Sequence, residues 1–434
     1  MNSRDLLKIY YLTKVIKQQW YSRERLRIFQ KSLLKEIINN AYLNVPFYNK
    51  MFKRLKLSPA DIDDMADLKK LPIITKNEVR DAFQNSLIVN RKYLKGSISR
   101  TTSGSSGFPL TVLYDMNSYA YSEGIYARAL LEQGVSINDR MAYFWYEQFK
   151  ERGFWEALGL FRKNEILYTD NEELQLIAMM RVNPTVVHAF PTLLVSLAER
   201  IKNSKFKIRP RLIITHGEVL TVSAMQRIKE SFKAIVLDQY GSNEFNRMAW
   251  QCKEYGSYHI DSDNIIMEFL DDNGNEVCCG GRGRIIVTNL KNKVMPLIRY
   301  ETGDYGVKGK EECGCGRGLP MLESIEGRMD DFLVGRNNSL ISPRRIGGVL
   351  EKVNNIKQYK FIQEKIDKFI INIVPANEFS IKDEGDIKRA IGDVLGRDTC
   401  LIINMIENMP KGKTGKIKAV ESLVSQNNLI KNVN

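Results

Sequence analysis

The chain has 434 residues, 43% of them hydrophobic and 27% charged, with a formal net charge of +14. Those values exclude collagen-like and wholly disordered classes, and the length suits roughly two to four domains with cores that need no disulfide staples. No apolar run approaches the ~18–20 residues of a membrane span, and the charged N-terminus is not a secretory signal, so a cytoplasmic protein with reduced or metal-bound cysteines is expected.

The first fifty residues read as helices. Leu6, Leu7, Tyr10, Val15 and Ile16 recur near helical spacing with Lys8, Lys14 and Lys17 between them. Such a basic amphipathic stretch either packs on its own domain or makes a peripheral contact with a membrane surface. Pro46 breaks the pattern and biases Val45 toward extended geometry. Farther on, β-rich runs alternate with helical ones: PTVVH at 184–188, helix Leu193–Ile201, RLIIT at 211–215, helix Val222–Phe232, strand Ala234–Leu237. That alternation implies βα units and a mostly parallel sheet. After Ile260 the texture changes to hairpins, with strands Ile265–Leu270 and Gly283–Asn289 and a turn at Asp271-Asp272-Asn273-Gly274.

A boundary is expected between Gly327 and Asp331. Beyond it, helix Pro343–Val353, strands Gln358–Gln363 and Phe369–Val374, helix Asp383–Leu395 and strand Leu401–Ile406 form a small α+β pattern. The expected fold is therefore α/β: a large N-terminal domain, 1–329, of mixed sheets with flanking helices, and a small α+β C-terminal domain, 330–434.

Five segments carry chemistry. RTTSGSSGFPL at 100–110 concentrates hydroxyls and glycines, the composition of a loop that surrounds phosphate oxygens; the candidates are Thr101, Thr102, Ser103, Gly104, Ser105, Ser106 and Gly107. No Gly-Lys-Ser/Thr closes it, so it is not a Walker A loop, and a plain surface loop is the competing reading. DQYGSNEF at 238–245 follows a predicted strand, where open α/β sheets bind ligands. Tyr240 suits stacking on a flat base, and Glu244 suits Mg²⁺ with substrate phosphates. In RYETGD at 299–304, Asp304 in a glycine turn is a candidate for two ribose hydroxyls. EGRMDD at 326–331 adds the charge of Arg328, and puts Asp330 at the boundary. PKGKTGK at 410–416 is a flexible basic loop able to bring a lysine to a developing negative charge.

In this order, the segments resemble the adenylate-forming superfamily of acyl-CoA synthetases, peptide-synthetase adenylation domains and luciferases, and within it the phenylacetate–CoA ligase family. Asn44-Val45-Pro46-Phe47-Tyr48, Gly107-Phe108-Pro109 without the usual lysine after it, and Met295-Pro296-Leu297-Ile298-Arg299-Tyr300 resemble its branch linked to capsular-polysaccharide synthesis and deazaflavin adenylation. The resemblance spans about Asn44 to Lys416. It implies ATP phosphates on 101–107 and nucleotide contacts from Tyr240, Gly241, Ser242 and Asn243, where Asn243 replaces the usual hydroxyl. It also implies Mg²⁺ on Glu244, ribose on Asp304 with help from Arg328, and a mobile C-terminal domain turning about a hinge at Asp330. The catalytic lysine falls on Lys416, with Lys411 and Lys413 as decoys. The acyl pocket falls near Tyr143, Trp145, Tyr146, His188 and Gly217, although aromatics at such spacing are more often core.

Cys252 and His259, with Cys313 and Cys315, offer ligands for a closed structural Zn²⁺ site. Similar ligands at matching places in part of the family strengthen that expectation. Cys278 and Cys279 are expected to point opposite ways along a strand, and Cys400 to be a core thiol. The leading functional expectation is an ATP-dependent acid:CoA ligase. The alternative passes the activated acyl group to an amine or hydroxyl of a sugar or amino acid. A zinc-containing nucleic-acid binder fits poorly, for want of recognition-helix or finger spacing.

Overall fold

The computed structural model describes residues 3–101, 110–145, 159, 162–202, 204, 206–328, 331–335, 340–350, 353, 355–376, 379–409 and 419–424. In chain order it opens with helices α1 (Ser3–Gln18), α2 (Arg23–Asn44), α3 (Pro46–Leu55) and α4 (Lys76–Gln84), then strands β1 (Ile98–Thr101) and β2 (Thr111–Tyr114) and helix α5 (Met116–Glu132). There follow β3 (Met141–Trp145), β4 (Lys163–Leu167), α6 (Glu172–Val182), β5 (Val186–Ala189), α7 (Pro191–Lys202), β6 (Leu212–His216), α8 (Val222–Phe232) and β7 (Ile235–Ser242). Next come β8 (Asn246–Gln251), β9 (Tyr258–Ile260), β10 (Ile265–Leu270), β11 (Arg282–Asn289), β12 (Tyr300–Lys308) and β13 (Met321–Arg328). The chain closes with β14 (Leu333–Val334), β15 (Leu340–Ile341), α9 (Pro343–Leu350), β16 (Ile356–Lys365), β17 (Lys368–Pro375), α10 (Ile381–Leu395), β18 (Cys400–Met405) and β19 (Val420–Ser422).

Local chemistry fixes several of these boundaries. Val45 is extended at φ −121° and Pro46 opens α3, where its missing N–H costs nothing. Thr75 and Glu78 form a capping box on α4, as Ser380 and Asp383 do on α10. Asp115 caps α5 by accepting from the N–H groups of Asn117 and Ser118.

The chain divides into two compact units, Met1–Gly134 with Gln239–Ile325, and Val135–Asp238 with Glu326–Asn434. In the first, strands follow the order β10, β11, β12, β13, β9, β8, β7. The pairs β10/β11, β11/β12, β8/β9 and β7/β8 are antiparallel. Helices α2 to α4 bury Leu34, Ile37, Ile38, Phe52 and Val79 in the same core as Ile285, Val287 and Tyr300. Helix α1 lays its apolar face on α5: Tyr11 meets Tyr121 edge-on at 5.2 Å, and Val15 is fully buried, while Leu6 and Tyr10 stay exposed. Among the described residues no helix is long and apolar enough to cross a membrane.

In the second unit, β6, β5, β3 and β4 lie side by side and parallel; β5 and β6 are strands of the expected βα alternation, and β3 and β4 extend it. Their core joins Phe144, Val187, Ile213, Leu194 and Ile228. The C-terminal part of this unit carries a sheet in the order β18, β17, β16, β19, over which α9 and α10 bury Ile346, Leu350, Ile387 and Ile391.

Candidate nucleotide and metal sites

Strand β7 ends on the sequence Tyr240-Gly241-Ser242. A Cβ at Gly241 would stand 2.4 Å from the Asn246 carbonyl oxygen, so only glycine lets β7 and β8 close here. The register slips at this point, which turns the chain into Asn243 and Glu244. Strand β12 supplies the facing groups. Opposite Ile285 of β11 it carries three residues, Thr302, Gly303 and Asp304, a bulge held by the Thr302 hydroxyl donating to the Ile285 carbonyl at 3.0 Å. Asp304 thus sits in a strand bulge, not in the free turn expected from its glycine, because β11 continues past it.

The bulge aims Asp304 at β7. The Tyr240 hydroxyl donates to Asp304 Oδ2 at 2.7 Å, and the Tyr300 hydroxyl donates to Glu244 Oε1 at 3.1 Å. Each of the two motifs gives one tyrosine and receives one on a carboxylate. Tyr240, Glu244 and Tyr300 are buried. The Ser242 hydroxyl is also buried, with no hydrogen-bond partner among the described residues. An orphaned hydroxyl in the segment that also carries Tyr240 and Glu244 fits a polar ligand such as a nucleotide.

Asn243 has a role of its own. Its amide donates to the Thr101 carbonyl at 3.1 Å, and its own carbonyl accepts the buried Tyr114 hydroxyl at 2.9 Å. The turn is thereby tied to the start of the Ser/Gly segment, whose Thr101 ends β1. Thr102, Ser103, Gly104, Ser105, Ser106 and Gly107 lie outside the described residues, as do Tyr146, Asp330, Lys411, Lys413 and Lys416. Arg328 is the half-buried last residue of β13, in the second unit.

The thiol and imidazole candidates converge in the first unit. Cys252 follows β8, His259 lies in β9, and Cys313 and Cys315 come from the β12–β13 connection; their ligand atoms all lie within 4.8 Å of one another. Cys252 and Cys313 sulfurs are 3.9 Å apart, and Cys315 Sγ is 3.4 Å from His259 Nε2. Three sulfurs and one imidazole at such spacings fit a closed tetrahedral Zn²⁺ site with no open position. Burial, with Arg317 nearby, pulls His259 down to about 4, so it is neutral as a ligand must be. Burial pushes the Cys313 thiol up to about 12. Burial would also raise Cys315, but hydrogen bonds from the backbone and side chain of Arg317 hold it below its ordinary value. Arg317 packs over Trp20 at 4.5 Å and bonds Gln19 at 3.2 Å, which ties the α1–α2 turn to this loop.

Two cysteine expectations are corrected. Cys278 and Cys279 sit in an exposed turn before β11 rather than in a strand, because the positive φ of Gly280 (80°) bends the chain there. Cys400 is exposed, since it opens the edge strand β18.

In the second unit, Tyr143, His188 and His216 come from β3, β5 and β6 and stack face to face, at 4.9 Å and then 4.3 Å between centroids. Trp145 and Phe190 lie 5.8 and 4.7 Å from His216, and Lys163 Nζ covers the far face of Tyr143 at 4.9 Å. Tyr143, His188 and Phe190 are buried, whereas Trp145 and His216 are partly open and Gly217 is exposed with φ 72°. Half of this group therefore serves the core.

Sequence reasoning missed Tyr300, Tyr114 and Arg317. Tyr300 lies four residues before Asp304, and the even spacing along a strand is the signal that could have paired them. Nothing local marks Tyr114 or Arg317.

The C-terminal segment 333–422 matches the CapK C-terminal domain family. A phenylacetate-coenzyme A ligase of Thermus thermophilus is 26% identical over 342 residues, 76% of each chain. One from Pseudomonas putida is 24% identical over 390 residues, 86% of this chain and 87% of the other. The chain is a relative of the phenylacetate–CoA ligases. A crystal structure of 2-hydroxyisobutyryl-CoA ligase in the postadenylation state superposes with a TM-score of 0.80 at 17% identity, over 96% of this chain and 94% of the other. This relative of the ligases therefore has the adenylate-forming ligase fold.

Proposed function

We propose that the protein activates a carboxylic acid with ATP and transfers the acyl group to the thiol of coenzyme A. The observation that carries this reading is the meeting of Tyr240, Glu244, Tyr300 and Asp304, two tyrosines and two carboxylates from separate motifs, in a chain homologous to phenylacetate–CoA ligases. Tyr240 stacks on the adenine, Asp304 accepts the ribose hydroxyls, and the Ser242 hydroxyl and the 101–107 loop take phosphate oxygens. Glu244 would hold Mg²⁺, which shields the phosphate charge. An oxygen of the substrate carboxylate attacks the α-phosphorus, the bond to the bridging oxygen breaks and pyrophosphate leaves. Lys416 meets the charge that develops in that step. The thiolate then attacks the acyl carbon and AMP departs. Between the steps the C-terminal domain, 330–434, turns about Asp330 and withdraws Lys416.

The Cys252–His259–Cys313–Cys315 cluster would hold a structural Zn²⁺ remote from the reaction. The stacked rings of Tyr143 and His188, with Trp145, Tyr146 and Gly217, border the acyl group. A second acceptor, an amine or hydroxyl in capsular-polysaccharide synthesis, is favoured by the CapK C-terminal match alone. ATP–pyrophosphate exchange across a panel of carboxylic acids and amino acids tests the first half-reaction. Dependence of product on CoA then separates the acceptors.

A further inference from the structure

Two carboxylates in the first unit are each held by a tyrosine hydroxyl, and the two hydrogen bonds are reciprocal. Tyr240 of β7 reaches across to Asp304 of β12, while Tyr300 of β12 reaches back to Glu244 after β7. Both tyrosines are buried, Tyr300 to 2% exposure and Tyr240 to 8%. A buried hydroxyl that donates to a carboxylate fixes one oxygen and so turns the other. Each of these two donors is a neutral hydroxyl and brings no cation to the carboxylate. The Tyr300 ring is itself held by Phe245, 5.7 Å away between centroids, and Phe245 is the residue after Glu244.

From this geometry we infer that Tyr300 is a positioning residue for the cation held by Glu244, and that the Tyr240 hydroxyl is a positioning group for ribose recognition by Asp304. The inference rests on the nucleotide reading of this site and adds a division of labour within it. Tyr300 sets the Mg²⁺ requirement; the Tyr240 hydroxyl sets discrimination between ribose and 2′-deoxyribose. Tyrosine rather than arginine suits both posts, because an arginine would neutralise the carboxylate it orients.

The test uses the full chain and equilibrium binding, which needs no knowledge of the acid. ATP and 2′-deoxy-ATP are titrated by calorimetry over a range of Mg²⁺ concentrations into wild type, Tyr300→Phe and Tyr240→Phe. Each substitution removes one hydroxyl and keeps the ring. Tyr300→Phe should raise the Mg²⁺ concentration needed for half-maximal binding about tenfold, the usual effect of losing one hydrogen bond to a charged group, with the ATP to 2′-deoxy-ATP ratio unchanged. Tyr240→Phe should shrink that ratio and leave the Mg²⁺ midpoint in place. Melting temperatures near wild type for both variants keep the comparison valid. If wild type binds MgATP and both variants match it, or if each variant shifts both readouts alike, the positioning roles are overturned while the nucleotide reading stands. If wild type binds no ATP, the nucleotide reading falls and takes this inference with it.

Discussion

The first unit contains two polar clusters built on opposite plans. In one, Arg128 bonds Asp261 at 2.7 Å and Asp263 at 2.6 Å, and Arg247 bonds Asp261 at 3.1 Å; all four side chains are at most 5% exposed. Two guanidinium groups cancel two carboxylates, and Arg128 also donates to the Val15 carbonyl of α1 at 3.0 Å. In the other cluster, Asp304 and Glu244 accept from the hydroxyls of Tyr240 and Tyr300, which are neutral donors. A carboxylate paired with a guanidinium within the fold holds elements together; one met by a neutral hydroxyl is oriented by it. The contrast separates architecture from site by charge compensation, which burial alone does not do.

The sulfur cluster sharpens this contrast the most, because there the compensating charge would come from a metal ion. Elemental analysis of protein purified without added metal should find one zinc per chain. Chelation should then lower the melting temperature more than any single substitution below, since structural zinc binding is worth on the order of 10 kcal/mol. Purified protein that carries no zinc would end this reading.

Next in size, Arg128→Met should destabilise the fold by about 3–5 kcal/mol in chemical denaturation, because it removes the bond to buried Asp263 and leaves Asp261 to Arg247. The folded fraction should bind ATP normally. Lys416→Ala should cut pyrophosphate exchange by about 10²-fold or more with stability intact, and Lys411→Ala and Lys413→Ala should be far milder. A dead Lys413→Ala beside an active Lys416→Ala would shift the register of that loop. Asp304→Asn should weaken ATP binding by about tenfold while the melting temperature stays put, the mirror image of Arg128→Met. A large loss of stability in Asp304→Asn would erase the distinction between the clusters.

The smallest effect is expected in the second unit, at Asp139 and its partner Arg211, whose side chain is 48% exposed. Burial pushes the Asp139 carboxyl up, but bonds from Thr185 and Arg211 and the Ser136 N–H outweigh it and leave the group below its usual range. A depressed carboxylate stabilises the fold above its unfolded pKa, near 3.9, and loses that contribution as pH falls through the lower folded value. Asp139→Asn should therefore cost about 1 kcal/mol at neutral pH, and the difference from wild type should vanish in acid. A pH-independent difference would assign the loss to packing.

The sequence alone located the repeating elements and the order of the chemical motifs. Helix Val222–Phe232 and strand Ile265–Leu270 have the bounds their periodicity implied, and the parallel pair β5/β6 follows the βα alternation. The grouping of Cys252, His259, Cys313 and Cys315 was also legible, since few residue types bind zinc and these four fall in two short segments. Periodicity and residue type are local properties, so they are read from neighbours in the chain. Tertiary structure decided which carboxylate meets a guanidinium and which meets a tyrosine hydroxyl. The partners that make the difference are 64 residues apart for Tyr240 and Asp304, 56 for Tyr300 and Glu244, and 133 for Arg128 and Asp261. The local pattern marks Asp304 by its neighbouring glycine, but it does not show that Asp261 will meet two arginines. The bulge opposite Ile285, the exposed edge that carries Cys400 and the glycine turn after Cys279 likewise depend on which strand lies alongside, and that is settled only when the sheets assemble.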